Sequence, residues 1–177
     1  MIVTVELPAW QFEAGGARPL NIGALLTVIL DGGAVSLGET GGIGQLVTHP
    51  QGRPHLLPVA PGQAALSGTV TAVVRDHADG EAWLEFEVDC GVPVRFTCLP
   101  DPRPPVVDEW VSGLVTLSAH LAETDARLLG QPLTTVVREI QRLCLRASDA
   151  AFGELRSVSA LPAEQFSPDV VFITLQF

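Results

Sequence analysis

Residues 68–98 read GTVTAVVRDHADGEAWLEFEVDCGVPVRFTC, and three runs within that stretch alternate apolar and polar side chains. A period of two marks β-strands with one covered face, because successive side chains point to opposite sides of a sheet. Val70, Ala72, Val74, Leu84, Phe86, Val88, Val94, Phe96 and Cys98 share one face, and Thr71, Arg75, Trp83, Glu85, Glu87, Arg95 and Thr97 share the other. The stretch therefore predicts a three-strand antiparallel meander with turns centred on Gly80 and Gly91. A one-residue slip would turn a strand's whole apolar set to water, so the alternation also sets the register. That register places Arg75 opposite Glu85 and Arg95 opposite Glu87, cross-strand pairs worth about 0.2–1 kcal/mol each. The expected result is a solvated, self-neutralised polar face. A carboxylate pair for acid–base catalysis would need one carboxyl kept neutral by burial, and the arginines beside these acids oppose that.

Outward from the meander, strands are expected at 2–7, 25–30, 44–49, 111–120 and 169–177. The run LLTVIL at 25–30 is apolar on both faces and belongs at the centre of a sheet or beneath another layer. Val171, Ile173, Leu175 and Phe177 share a face, so the last strand is expected to end inside the sheet. Between these runs, residues 29–44, 49–63 and 99–109 are dense in Gly and Pro, which break or connect strands. The proline-rich 99–107 is expected to be a rigid crossover within a single domain spanning 1–177.

One stretch has helical spacing. Leu133, Val136, Val137, Ile140, Leu143 and Cys144 fall on one helix face, and Pro132 suits a first turn, so an α-helix is expected over 132–147. Val136, Ile140 and Cys144 would also suit a bulged strand whose exposed side carries arginines. The fold class predicted is mainly β: a bent antiparallel sheet or small barrel-like sandwich with that one helix. Closure would protect strand edges that otherwise invite aggregation.

Composition narrows the function classes. The chain has 177 residues, enough to bury roughly 70% of its unfolded surface. Its 47% apolar and 17% charged residues are incompatible with a disordered body. All 10 basic residues are arginine against 20 acidic ones, giving a net charge of −10. That balance argues against nucleic acid, whose phosphates demand clustered cations. The longest apolar run, 24–30, is far short of the roughly 20 residues that span a bilayer, so no membrane partner is expected. MIVTVELPAW has no basic leader and already alternates as a strand, and a cytoplasmic location is expected. Cys90, Cys98 and Cys144 lack metal-ligand spacing and are expected to be free thiols.

Most catalytic patterns fail on spacing. His49 and His55 stand six apart across Pro50 and Pro54, which fits neither a helix face nor a zinc-ligand pair; with His77 and His120 they predict no metal. DHADGE at 76–81 reads as a hairpin turn rather than a calcium loop, and GETGGIG at 38–44 lacks the lysine and following helix of a phosphate loop. No G-x-S-x-G elbow occurs, and Ser112 lies in a predicted strand with no histidine partner deducible. No cofactor and no catalytic residue are expected. Trp10 and Trp110 read as closures at sheet ends, whereas Trp83 stands on the polar face of the meander as an interface anchor. Trp83, Glu85 and Asp89 are the expected partner-binding residues of a non-catalytic cytosolic module that recognises a protein, of basic character, through an acidic surface. The alternative is a small-molecule-binding β-barrel with weak hydrolase or lyase activity, which a pocket of about 300 Å³ or more with convergent polar groups would favour. A structural subunit of a homo-oligomer is a third reading.

The segment W-Q-F-E-x-G-G-x-R-P-L-x-I-G at 10–23, with G-T-V-T-A-V at 68–73 and V-V-F-I-T-L at 170–175, resembles a family of small uncharacterised bacterial proteins. Members open with Trp-Gln and a Gly-x-x-Pro turn that leads into a strand. The resemblance implies no activity, cofactor or catalytic residue.

Overall fold

Alternating and doubly apolar runs resolve into strands in the computed structural model, which describes residues 1–8, 11, 19–38, 43–78, 81–98, 103–122, 129–161 and 169–177; the side chains at 76–78 and 81–83 lie outside that description. In chain order the strands are β1 (Ile2–Leu7), β2 (Leu20–Asn21), β3 (Leu25–Leu37), β4 (Gln45–His49), β5 (His55–Ala60), β6 (Gln63–Ala78) and β7 (Glu81–Asp89). They continue as β8 (Pro93–Cys98), β9 (Trp110–Thr116), β10 (Ser118–Leu121), β11 (Leu133–Leu143), β12 (Leu155–Ser157), β13 (Ala160–Leu161) and β14 (Val170–Gln176). β2 and β13 form a separate ribbon, and the others form one 12-stranded sheet. The sheet is mixed rather than purely antiparallel, because β1–β10, β3–β4 and β3–β8 are parallel pairs.

β3 organises the sheet. Leu25 and Thr27 at its start are exposed, and from Val28 to Leu30 successive residues are buried, as in a strand covered on both sides. It pairs β11 over Leu25–Val28, β10 over Val28–Asp31, β8 from Asp31 to Val35 and β4 at Ser36 and Leu37. Pairing consequently closes on itself along β3–β4–β9–β6–β7–β8 and again along β3–β10–β1–β14–β11. Asp31-Gly32-Gly33, read in the sequence as part of a turn, lies inside β3 as a bulge against β8. Gly33 takes φ +71° and its amide donates to Asp31 Oδ1 at 2.7 Å. Glycine is the residue that adopts such a φ at no steric cost.

The core runs through both circuits. Phe86 and Phe96 are fully buried in the first, their centroids 5.3 Å apart with 24° between the ring planes. Val3, Val5, Val137, Ile140, Ile173 and Leu175 are fully buried in the second. Burying an aliphatic or phenyl side chain of this size contributes roughly 1.5–3 kcal/mol relative to exposure.

The α-helix expected over 132–147 is not formed; the segment is β11, which pairs β3, β14 and β12. Thr134-Thr135-Val136-Val137 is a run of four β-branched residues, stiff at χ1 and suited to a strand. A bulge between Val137 and Glu139 adds a residue at Arg138. Val137 and Ile140, three apart, thereby both face the core, and this produced the helical spacing.

The meander forms, with two corrections. β7 and β8 pair as the alternation requires, Phe86 with Phe96 and Glu87 with Arg95. Between β6 and β7, however, a bulge between Val70 and Ala72 shifts the register, so Arg75 lies opposite Leu84 and Val74 opposite Glu85. Val73 rather than Val74 then pairs Phe86 and packs against the core. The second correction concerns the polar face, which is solvated only in part: Thr71 and Arg75 are exposed, but Glu85, Glu87 and Arg95 are 3%, 4% and 0% exposed. Residues 129–131 help to cover it. Arg95 Nη1 donates to the Leu129 carbonyl at 3.0 Å, and Gln131 Nε2 donates to Glu87 Oε1 at 3.0 Å. Alternation reports one apolar face; it does not say that the polar face meets water.

Residues 55–60, read as part of a turn-rich stretch, are the edge strand β5, which pairs only β6 and tolerates Pro58 there. At the opposite end of the chain, Asp169 precedes β14 and ties it to the end of β11. Its Oδ1 accepts the Leu145 amide at 2.8 Å, and Arg142 pairs with its Oδ2. Burial alone pushes this carboxyl up, but the Leu145 amide and Arg142 guanidinium outweigh it and hold the carboxyl below the usual range. A depressed folded-state pKa stabilises the fold above the unfolded value and loses that contribution as pH falls through the folded one. Asp169→Asn should cost roughly 1–3 kcal/mol at neutral pH, with the gap to wild type closing below about pH 4. Urea midpoints at several pH values measure this; a gap independent of pH contradicts it.

Candidate functional site

β4, β9, β6 and β5 lie side by side, and their register builds one polar surface. Val47 stands opposite Ser112, Ser112 opposite Ser67, and Ser67 opposite His55, so a row crosses all four strands. His49 stands opposite Trp110, one step along the same face. The intervening residues Leu46, Leu56, Leu66 and Val111 are buried in the core, so the His, Ser and Trp side chains take the outer side. The connection from β4 to β5 then passes over that face. A Cβ on Gly52 would lie 2.3 Å from Trp110 Nε1, so only glycine lets the connection rest on the indole.

The result is a recess of about 510 Å³ whose polar lining includes His49, Arg53, His55, Ser67, Trp110 and Ser112. His49 Nε2 and Ser112 Oγ are 2.6 Å apart. Trp110 Nε1 donates to Ser67 Oγ at 2.7 Å. His55 Nδ1 lies 3.1 Å from the Arg53 carbonyl, and since a carbonyl only accepts, Nδ1 carries the hydrogen and Nε2 faces elsewhere.

A serine hydrogen-bonded to a histidine is the contact from which nucleophilic catalysis starts. Two further requirements are missing. β9 is paired on both edges, so the amides around Ser112 are committed to the ladders rather than collected into an oxyanion hole. Among the described residues no carboxylate lines the recess to orient His49. The arrangement suits holding a polar molecule through several hydrogen bonds.

Of the residues expected to bind a partner, the side chains of Glu85 and Asp89 are described. Glu85 is buried, whereas Asp89 is exposed and its Oδ1 accepts the Gly91 amide at 2.9 Å. The backbone of Trp83 lies in β7, and its side chain is outside the described residues. So are the side chain of His77 and the turn at Asp79 and Gly80. His49, His55 and Ser112 were each visible in the sequence singly. What brought them together was the pairing of β9 with β4 and β6, which no local pattern announces.

A second polar cluster is buried. Arg95 donates from Nε and Nη2 to Asp31 Oδ2 at 3.0 and 2.7 Å, and from Nη2 to His120 Nδ1 at 3.3 Å. Among the described residues no group of three or more His, Cys, Asp or Glu could hold a metal ion, and no helix is long and apolar enough to cross a membrane. Cys90, Cys98 and Cys144 are buried, and burial pushes the Cys90 thiol up to about 11, which makes it a poor nucleophile at neutral pH. No protein-family model, curated protein or solved structure matches the chain.

Proposed function

We propose that this protein is a small-molecule-binding β protein, with its two closed pairing circuits serving as a barrel-like frame and its ligand held in the recess over β4, β9, β6 and β5. The observation that carries this reading is the convergence of His49, His55, Ser67 and Ser112 on one recess of about 510 Å³. That volume falls within the range of small-molecule sites, and polar groups on paired strands are held more rigidly than groups on loops. The ligand is bound without covalent change. The protein-partner reading, by contrast, keeps only Asp89 at the surface among its described side chains.

A panel of small polar fragments followed by backbone and imidazole NMR tests this. Fragments that bind should move the resonances of His49, His55, Ser67 and Ser112 together, and His49→Ala should weaken them by about tenfold, the loss of one good hydrogen bond. A panel that leaves these four residues unmoved removes the reading.

A further inference from the structure

We infer that the ligand is a small oxyanion, a carboxylate or phosphate group on a compact molecule; this inference rests on the binding reading above. The argument is a count of hydrogens available at the recess. Ser67 is 5% exposed, and its Oγ accepts from the Trp110 indole, a group that can only donate. Its own hydroxyl hydrogen has no acceptor among the described residues, so a nearly buried donor is left for whatever enters. The His49–Ser112 pair gives the same result by a route independent of tautomer. A neutral imidazole and a hydroxyl carry two hydrogens between them, and their contact at 2.6 Å uses one. If Ser112 donates, His49 Nδ1–H remains; if His49 donates, the Ser112 hydrogen remains.

Charge points the same way. Arg53 lines the recess and forms no ion pair among the described residues. The chain carries 20 acidic residues against 10 basic ones, yet among the described residues neither Asp nor Glu lines this recess. Among the described residues a cation would find no counter-charge there, and a neutral polyol would leave the exposed guanidinium to water alone. An oxyanion satisfies the two spare hydrogens and the arginine together, through charge-assisted bonds stronger than neutral ones. His55, with Nδ1 engaged by Arg53, offers Nε2 as an acceptor, which suits a hydroxyl or protonated oxygen on the same ligand. Monohydrogen phosphate and a 2-hydroxycarboxylate both have that chemistry.

Calorimetric titration of the full chain with inorganic phosphate, lactate and glycerol separates the cases. Binding of phosphate without lactate assigns a phosphate-type ligand; binding of lactate without phosphate assigns a carboxylate. In either case Arg53→Gln, an exposed change that leaves the sheet intact, should weaken binding by about tenfold or more, and added salt should weaken it further. Ser67→Ala should weaken it too. Glycerol binding that ignores both salt and Arg53→Gln would overturn the oxyanion while leaving the site in place. If none of the three probes binds but neutral fragments move His49 and Ser112, the oxyanion again fails alone; if fragments also fail, the binding reading falls with it.

Discussion

Asp31→Ala should destabilise the protein by about 3–5 kcal/mol, the cost of leaving one member of a buried ion pair without its counter-charge. Arg95 is fully buried and Asp31 only 3% exposed, so water cannot replace what the carboxylate supplies. The two Asp31 oxygens do separate work. Oδ2 accepts both Nε and Nη2 of Arg95, while Oδ1 accepts the Gly33 amide and closes the bulge in β3. Losing the side chain therefore takes the Asp31 charge from a buried guanidinium and loosens the strand shared by both circuits. Chemical denaturation of Asp31→Ala, Arg95→Met and the double variant gives the coupling directly. The double variant should be more stable than Asp31→Ala, because removing both charges also removes the buried guanidinium. An Asp31→Ala protein within about 0.5 kcal/mol of wild type, the scale of an ordinary surface change, would sink this account.

Gly32→Ala should cost about 3 kcal/mol, at the upper end of what overpacking a filled core costs. A Cβ at Gly32 would sit 1.8 Å from Phe96 Cε1 and 2.4 Å from its Cδ1, well inside any real carbon–carbon contact. The ring cannot retreat easily, since Phe96 is fully buried and stacked on Phe86. Close packing leaves no void to take up the displacement. Phe96→Leu removes Cε1 and Cζ, two of the three atoms that collide, so Gly32→Ala should cost less on that background than on wild type. Equal costs on the two backgrounds would show that the ring is not what excludes the methyl group.

These two positions show where sequence reading succeeds and stops. Phe96 was assigned to the core by alternation alone, and the meander and the burial of Val171, Ile173 and Leu175 were legible for the same reason, whereas of the apolar run 25–30 only Val28, Ile29 and Leu30 are buried. Each is a local consequence of side-chain period. Bulges are where period fails: those near Thr71 and Arg138 each insert one residue, which moved Val73 into the place expected for Val74 and gave β11 a helix-like spacing. The Asp31-Gly32-Gly33 bulge hid the second half of β3 as a turn, because its glycines are the residues a turn would also use. Arg95 was placed on the correct side of its strand but assigned to Glu87 and solvent. Its partners Asp31 and His120 come from strands that its own sequence neighbourhood does not specify. The recess was hidden by the same non-locality, with His49 and Ser112 separated by 63 positions.

The two closed circuits differ in how much of the chain each requires. Every strand of β3–β4–β9–β6–β7–β8 lies between Leu25 and Thr116, and the recess over β4, β9, β6 and β5 is made from that same span. The other circuit places β14 between β1 and β11, joining Ile2–Leu7 to Val170–Gln176. As the chain leaves the ribosome, the edge of β1 that will receive β14 has no mate until some 160 further residues have been made, whereas the circuit that bears the recess already has all its strands. The wall that bears the recess can thus be complete in its parts before the wall that closes the molecule exists.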